Sequence, residues 1–337
     1  MELEKVIMSL ADTSGVSGDE EKAAELALSY LKGYTDDCCI KNGNVVGHIG
    51  KKGGKSHVLL DAHIDQIGLV VTYITDDGFL KVSNCGGIDR RLLLAQQVTV
   101  LGKEPVTGII CAIPPHLSTD ESSVPEMNDI CIDVGMTKAQ AEQVISLGDK
   151  IVFAVSCKKM LGDRITGAAL DDRCGAAAIL RALEILKDKT LNCEVTVLFS
   201  TQEEVGERGA KIGVFDIDPD IALAVDVSFA LTPDDSELKC GKMGGGCMIG
   251  YAPTLDRELS KTLTETAKKN GLPYQTEVMS GETGTNADRF SVNKGGSKAA
   301  TLSIPLKYMH TPVEVISVSD VENTAQLIAA YLMEVGA

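Results

Sequence analysis

The amino-acid sequence predicts an α/β fold, in which a sheet covered by helices on both faces is interrupted by a small β-barrel-like domain. Two observations lead to this prediction. Apolar runs such as CEVTVLF and AATLSI lack polar alternation and are separated by amphipathic helical stretches, the pattern of a sheet buried on both sides. Between residues 67 and 159, short strand-like runs alternate instead with Gly, Pro and Asp, which is typical of a small barrel or sandwich.

This change in the pattern of residues divides the chain into two predicted domains. Residues 1–66 and 160–337 form the α/β domain, and residues 67–159 form the inserted β-rich domain. The chain has 337 residues, of which 44% are hydrophobic, so it is long enough for each domain to have its own core.

Helical periodicity supports the α/β domain at two places. The stretch CGAAAILRALEILKDK places Ile179, Leu183 and Leu186 on one helical face. Near the amino terminus, SGDE has the S-x-x-E form of a capping box, so we expect Ser17 to cap a helix that continues to Leu31.

The composition excludes several classes of partner. The formal net charge of −16, from 32 basic and 48 acidic residues, argues against nucleic acid and anionic membranes as partners. The absence of Trp and an aromatic content of 4% weigh against a sugar-binding platform. No apolar run is long enough to span a bilayer, and ten scattered cysteines without a C-x-x-C pair indicate reduced thiols, so we expect a cytoplasmic protein.

Candidate catalytic and metal-binding residues follow the apolar runs. In open α/β sheets, sites collect at the carboxyl ends of strands, and acidic and histidine side chains recur at these positions here. Together they offer a mixed nitrogen and oxygen ligand set for divalent metal. The candidates are His63 and Asp65 after SHVLLDA, Glu203 and Glu204 after CEVTVLFSTQ, Asp226 after IALAV, His310 after AATLSIPLKYM, and Asp171 at the start of a helix.

Each candidate also has an ordinary structural interpretation. A histidine after a strand is more often a turn residue than a ligand, and an Asp at a helix start is usually a cap. The metal hypothesis depends on the coincidence of several suitable residues at one end of one sheet. His48, His57 and His116 lack such neighbours, and Cys174 precedes an apolar helix, so we interpret these four as structural.

Two adjacent glutamates, Glu203 and Glu204, call for separate roles. If the backbone is still extended there, neighbouring side chains point to opposite sides and cannot both chelate one ion. We therefore expect one of them to bind metal and the other to accept a proton from water during hydrolysis.

Five motifs together resemble one known family. AHIDQIG, ALDDRCG, STQEEVG, AVDVS and YMHTPVE are similar in order and spacing to the tetrahedral and glutamyl aminopeptidases, which include members labelled cellulase M or endoglucanase. The resemblance covers essentially the whole chain. It implies a metal-dependent aminopeptidase with two divalent ions, zinc or cobalt, and an assembly of twelve subunits.

The resemblance also implies roles for individual residues. His63, Asp171 and Asp226 would hold one ion, and the second would be held by Asp171, Glu204 and His310. Glu203 would be the general base, Asp65 would orient His63, and the inserted domain would serve dimerisation and access control. Peptides are the implied substrates.

Two alternatives remain open from the sequence. A glycoside hydrolase could use Glu203 and Asp65 as its carboxylate pair. A non-catalytic relative could act as a binding protein. Many family members have acids where this chain has Gln66 and Asn286, which leaves the preferred amino-terminal residue undecided.

Overall fold

The structure is a computed structural model that describes residues 1–113, 115–117, 124–233, 235–236 and 239–336. It confirms the predicted α/β fold with an inserted barrel. Eight strands form the main sheet, three form a small antiparallel sheet, and six close into a barrel. The strands are β1 (Cys38–Lys41), β2 (Asn44–Gly50), β3 (His57–His63), β4 (Gly68–Ile74), β5 (Leu80–Cys85), β6 (Gln97–Leu101), β7 (Pro105–Ile110), β8 (Cys131–Asp133), β9 (Lys150–Phe153), β10 (Lys158–Lys159), β11 (Arg164–Gly167), β12 (Glu194–Ser200), β13 (Ile221–Phe229), β14 (Cys247–Tyr251), β15 (Tyr274–Val278), β16 (Lys298–Leu306) and β17 (Glu314–Ser317).

The main sheet has the strand order β1-β2-β12-β3-β13-β16-β14-β15. Its four central strands, β12, β3, β13 and β16, are mutually parallel. Successive residues of β3 belong to different cores: Val58 and Leu60 pack on one face and Leu59 on the other. Both faces are therefore covered, which explains why these strands are apolar throughout.

Helices cover the two faces. α1, α4 and α8 pack together on one side of the sheet, while α5 and α7 contact each other on the opposite side. In the described part of the chain, no helix is both long and apolar enough to cross a bilayer. The helices are α1 (Leu3–Ala11), α2 (Glu21–Leu31), α3 (Lys138–Val144), α4 (Leu170–Leu186), α5 (Arg208–Ile217), α6 (Arg257–Lys269), α7 (Ala287–Phe290) and α8 (Val318–Glu334), with short 3₁₀ turns at Arg90–Leu92, Pro115–Leu117 and Met127–Asp129.

The barrel comprises β4, β5, β8, β7, β6 and β9 in closed order, with every neighbouring pair antiparallel. Burial alternates along its strands: in β7, Val106, Gly108 and Ile110 point inwards and their neighbours are exposed. This period of two fills a separate apolar core.

One local prediction is wrong. α2 begins at Glu21 without a side-chain cap, and Ser17 does not cap it. The Ser17 hydroxyl instead donates a hydrogen bond of 2.6 Å to Oδ2 of Asp65, 48 residues further along the chain. The residue at the N-cap position is Glu20, three residues after Ser17, so Ser17 makes a tertiary contact with a buried carboxylate in place of a local cap.

Candidate metal centre

The parallel centre of the sheet brings the candidate residues to one edge. His63 is the last residue of β3 and lies beside Ser200, the last residue of β12. Asp226 lies within β13 rather than after it, because that strand continues to Phe229. His310 follows β16 in a turn, with a positive φ of 60°.

Asp171 lies between the two histidines. Its Oδ1 is 3.0 Å from Nε2 of His63, and its Oδ2 is 3.4 Å from Nε2 of His310. Asp171 and Asp172 have non-helical backbone angles, so the regular part of α4 begins after them. The two oxygens of one carboxylate thus face two imidazoles, an arrangement in which a carboxylate can bridge two cations.

A further carboxylate flanks each histidine. Oδ1 of Asp226 is 3.9 Å from Nε2 of His63, and Oε1 of Glu204 is 3.4 Å from Nε2 of His310. Ligand atoms of His63, Asp171 and Glu204 all lie within 4.8 Å of one another, close enough to hold a metal ion. All five proposed ligands are therefore brought together.

Asp172 is a nearby carboxylate that the sequence reasoning missed. It is fully buried and can form a second ligand group with His63 and Asp226. Its Oδ1 accepts the amide hydrogen of Gly175, as a helix cap does, whereas Oδ2 has no hydrogen-bond partner among the described residues. The pair of adjacent acids in ALDDRCG was the available signal.

The two glutamates do not lie on extended backbone, so the expectation based on strand alternation is wrong. β12 ends at Ser200, Gln202 has a positive φ of 55°, and the chain then turns. The turn still separates the two side chains: Glu204 reaches His310, while Glu203 lines the cleft beside the ligands.

Asp65 organises this turn. Its Oδ1 accepts the amide hydrogen of Glu203 at 2.9 Å, and its Oδ2 accepts that of Glu204 at 3.2 Å. The same residue contacts His63, whose Nδ1 lies 3.2 Å from the Asp65 carbonyl oxygen and 3.5 Å from Oδ1. The Asp65 carboxylate is completely buried, and Ser17 supplies its remaining donor. Asp65 therefore connects one proposed ligand to the glutamate pair.

The electrostatics of the centre indicate a site for cations. Burial raises the pKa of Glu203 to about 9 and that of Asp226 to about 8. Burial alone would lower the pKa of His310, but its hydrogen bonds to Asp171 and Glu204 raise it to about 11. Raised pKa values mean that these groups hold their protons near neutral pH. Because metal ligands bind in their deprotonated forms, divalent cations would displace the protons of Asp226 and His310. The residues present therefore fit metal ions.

A cleft of about 290 Å³ opens onto the centre. The five proposed ligands and Glu203 form one end of it. The remaining wall combines polar and apolar side chains from the neighbouring strands and loops, including Ser228, Phe229, Glu277, Met279 and Met309. The cleft is large enough for an amino-acid residue beside the centre.

The barrel reaches the centre through two glycines after β5. A Cβ atom on Gly87 would lie 3.0 Å from Nδ1 of His310, and one on Gly86 would lie 3.2 Å from Cβ of Glu204. Gly86 also has a positive φ of 79°. The loop therefore packs directly against two proposed ligands, which sequence reasoning did not foresee.

Gln66 and Asn286 brace the backbone behind the cleft. Gln66 accepts the amide hydrogen of Gly15 through Oε1, and Asn286 donates to Oδ2 of Asp61 at 2.7 Å and to Oγ of Ser200 at 2.9 Å. Both side chains are buried, and neither lines the cleft.

The residues interpreted as structural lie outside the centre. His48 and His57 both contact Oγ1 of Thr196, and His116 lies in a 3₁₀ turn. Cys174 is fully buried, and burial raises the pKa of its thiol well above the usual value.

Comparison with known proteins assigns the family. The family profile described as M42 glutamyl aminopeptidase matches residues 43–327. The chain belongs to this family. Its members are metal-dependent peptidases, so the resemblance inferred from the motifs is confirmed and the protein is a hydrolase of peptide bonds.

Individual relatives support the M42 assignment over the whole chain. A lysyl aminopeptidase from Pyrococcus furiosus is 33% identical over 98% of this chain and 96% of its own. The solved aminopeptidase APDkam598 from Desulfurococcus kamchatkensis is 35% identical, with a TM-score of 0.93 over 99% of this chain and 95% of its own. The Pyrococcus horikoshii TET1 peptidase, which can assemble into a tetrahedron or an octahedral shell, is 33% identical, with a TM-score of 0.89 over 99% of this chain and all of its own.

Proposed function

We propose that this M42 peptidase removes amino-terminal residues from peptides with a dinuclear metal centre at the edge of the main sheet. The observation that carries the proposal is the position of the Asp171 carboxylate, with one oxygen towards His63 and the other towards His310. A peptide amino terminus is positively charged near neutral pH, and the acidic cleft favours such a group.

The proposed ligand sets share Asp171. One ion would be held by His63, Asp171 and Asp226, and the other by Asp171, Glu204 and His310. Asp172 lies within reach of His63 and Asp226, but one of its oxygens caps α4, so we keep Asp171 in the first set. Imidazole with carboxylate suits zinc or cobalt, and we propose one of these two metals.

Glu203 is the proposed general base. When bound, the divalent ions supply Lewis acidity to the scissile carbonyl and lower the pKa of water. Glu203 lines the cleft beside the ligands, where it can take the proton from the attacking water and deliver it to the leaving amine. Asp65 holds the Glu203 backbone through its amide and contacts His63, so it positions both the base and a ligand.

The geometry does not favour a glycoside hydrolase. That mechanism needs two carboxylates flanking the sugar, and Glu203 with Asp65 is the available pair. The Asp65 carboxylate has no exposed surface and is occupied by Ser17 and two backbone amides. A non-catalytic binding protein is also disfavoured, because the complete ligand set and Glu203 surround one cleft.

We also propose a homo-oligomer, a dodecamer by analogy with the tetrahedral relative. Residues 67–159 would form the dimerisation and access domain, and residues 1–66 and 160–337 the catalytic domain. The barrel surface exposes apolar side chains suited to an interface, namely Tyr73, Ile109, Ile113 and Leu147. The cysteine pattern of the sequence favours a reducing compartment, and we propose the cytoplasm.

Metal reconstitution tests the function. After removal of metal with a chelator, zinc, cobalt or manganese is added and the protein is assayed with a panel of aminoacyl anilides and with soluble cellulose. We expect metal-restored release of the anilide and no release of sugar. Sugar release, or equal peptidase activity with and without metal, would overturn the proposal. Native mass spectrometry of the same preparation measures the number of subunits.

A further inference from the structure

Glu277 is an acidic residue of the cleft that the proposed hydrolysis does not use. It lies on β15 at the edge of the main sheet and is half-buried. Two hydroxyl groups from the neighbouring strands hold its carboxylate: Ser228 donates to Oε1, and Ser303 donates to Oε2 at 2.9 Å. Both serines are buried, so the carboxylate is fixed in one orientation.

In the part of the chain that the structure describes, the Glu277 carboxylate has no cationic partner. No Lys, Arg or His of the described residues forms an ion pair with it. No Lys or Arg from the described part of the chain lines the cleft either. A carboxylate that is held in one orientation and faces a ligand cleft can bind a cationic group of the ligand.

The distance along β13 from the proposed ligand Asp226 to Ser228, the serine that holds Glu277, is close to the length of a lysine side chain. Ser228, which binds Glu277, follows the proposed ligand Asp226 by two residues on the same face of β13. Two residues of a strand span about 7 Å. An extended lysine side chain, with five single bonds of about 1.5 Å each, reaches about 6 Å from Cα to Nζ.

The wall of the cleft includes apolar side chains that suit an aliphatic chain. Phe229, Met279 and Met309 line the same cleft. Methionine side chains are flexible and adapt to unbranched groups, and the methylenes of a lysine commonly pack on apolar surface while the ammonium group binds elsewhere.

We propose that Glu277 determines specificity by binding the cationic side chain of an amino-terminal lysine or arginine. This inference rests on the proposed aminopeptidase function and adds its substrate class. An acidic amino-terminal residue would bring a second carboxylate towards Glu277 without a Lys or Arg in the described cleft to receive it. The charge of the cleft therefore favours basic residues and disfavours glutamate.

The first test compares anilides of lysine, arginine, norleucine and glutamate with the metal-loaded wild-type protein. Norleucine matches the lysine chain without its ammonium group, so the ratio of kcat/KM for lysine over norleucine isolates the charge. We expect a ratio of about ten to a hundred, from one charge-assisted hydrogen bond. A ratio near one, or a preference for glutamate, overturns the role of Glu277 and leaves the aminopeptidase function intact. Failure to hydrolyse any of the anilides would contradict the proposed function itself.

The second test is Glu277→Gln, with Glu282→Gln as the matched control. Glu282 is an exposed acid five residues away that does not line the cleft. We expect Glu277→Gln to lower the lysine-over-norleucine ratio about ten- to hundredfold and Glu282→Gln to leave it unchanged. An equal change in both variants, or none in either, contradicts the proposal.

If the Glu277→Gln variant does not fold, the wild-type protein still provides a test. Wild-type protein can be assayed with ornithine and diaminobutyrate anilides, whose ammonium groups stand one and two methylenes closer to the backbone. We expect kcat/KM to fall with each methylene removed, because the ammonium group no longer reaches Glu277. Equal rates for the three basic residues would overturn the inference.

Discussion

The edge of the main sheet and the inserted barrel differ in what they bury. Among the described residues between 67 and 159, every buried side chain is apolar. At the sheet edge, His63, Asp65, Asp171, Asp172 and Asp226 are all buried or nearly so. Burial of charged groups destabilises the fold unless they are paired, whereas burial of apolar groups stabilises it. The sheet edge therefore buries polar groups that lower its stability, whereas the barrel buries apolar groups that stabilise it.

The two regions meet at one short loop. Gly86 and Gly87, which follow β5 of the barrel, contact Glu204 and His310. The barrel thus touches the centre through backbone rather than through reactive side chains. We expect substitutions at the sheet edge to change turnover, substitutions in the loop to change it slightly, and substitutions in the barrel core to change stability alone.

The largest effect is expected for Glu203→Gln. Removal of the proposed base should lower kcat by about 10²- to 10⁴-fold, the usual contribution of general base catalysis. The metal content should stay at the wild-type value, because Glu203 is outside both proposed ligand sets. Stopped assays with a lysine or leucine anilide and elemental analysis of the same sample measure the two quantities.

Glu204→Gln is the matched comparison for this prediction. The neighbouring glutamate is a proposed ligand, so its substitution should weaken metal binding, and excess metal should restore part of the activity. Equal metal loss in the two variants would contradict the division of roles between the adjacent carboxylates.

Asp65→Asn should have the next largest effect. The amide keeps the shape of the side chain but carries no negative charge, which weakens its contacts with His63 and with the Glu203 and Glu204 amides. We expect a loss of about 10- to 100-fold in metal affinity or kcat/KM, as is usual for groups that orient metal ligands. Titration of the metal-free protein with zinc measures the affinity. Asp188→Asn, at an exposed position, is the control, and a similar loss there would contradict the explanation.

The sheet and the candidate site at its edge could be predicted, because fully apolar strands and amphipathic helices leave periodic patterns in the sequence. Fully apolar strands such as β3 and β12 must be covered on both faces, and their ends must meet at one edge because they are parallel. The sequence therefore predicts that His63, Glu204 and His310 lie near one another. The family motifs then supplied the individual roles.

Other features could not be predicted because they depend on contacts between distant segments. Ser17 has a local capping motif, yet its partner Asp65 becomes its neighbour only after folding. Gly87 approaches His310 across more than two hundred residues of sequence, and Glu277 becomes a cleft residue only through β13 and β16. Single polar residues and glycines have no periodicity that reveals such contacts.

Gly87→Ala should cause a smaller loss. The added methyl group would lie 3.0 Å from Nδ1 of His310, so the ring or the loop must shift by a few tenths of an ångström. We expect kcat/KM to fall about two- to fivefold, because small displacements of a proposed ligand disturb the reacting geometry. Gly295→Ala is the control, since a methyl group there meets no atom within 4 Å. If Gly87→Ala retains wild-type kcat/KM, the loop only covers the centre and does not position it.

The smallest effect on turnover is expected for Ile132→Ala in the barrel core. Ile132 is fully buried, and its truncation should lower the free energy of unfolding by about 2–5 kcal/mol, measurable by urea denaturation. At temperatures where the variant stays folded, we expect kcat per folded subunit to equal the wild-type value. Leu60→Ala, on the strand that ends at His63, is the matched variant: it removes a similarly buried side chain, so its stability loss should be comparable, but kcat should also fall. An equal fall of kcat in both variants would mean that barrel packing controls the centre as strongly as the sheet does, and the distinction between the two regions would fail.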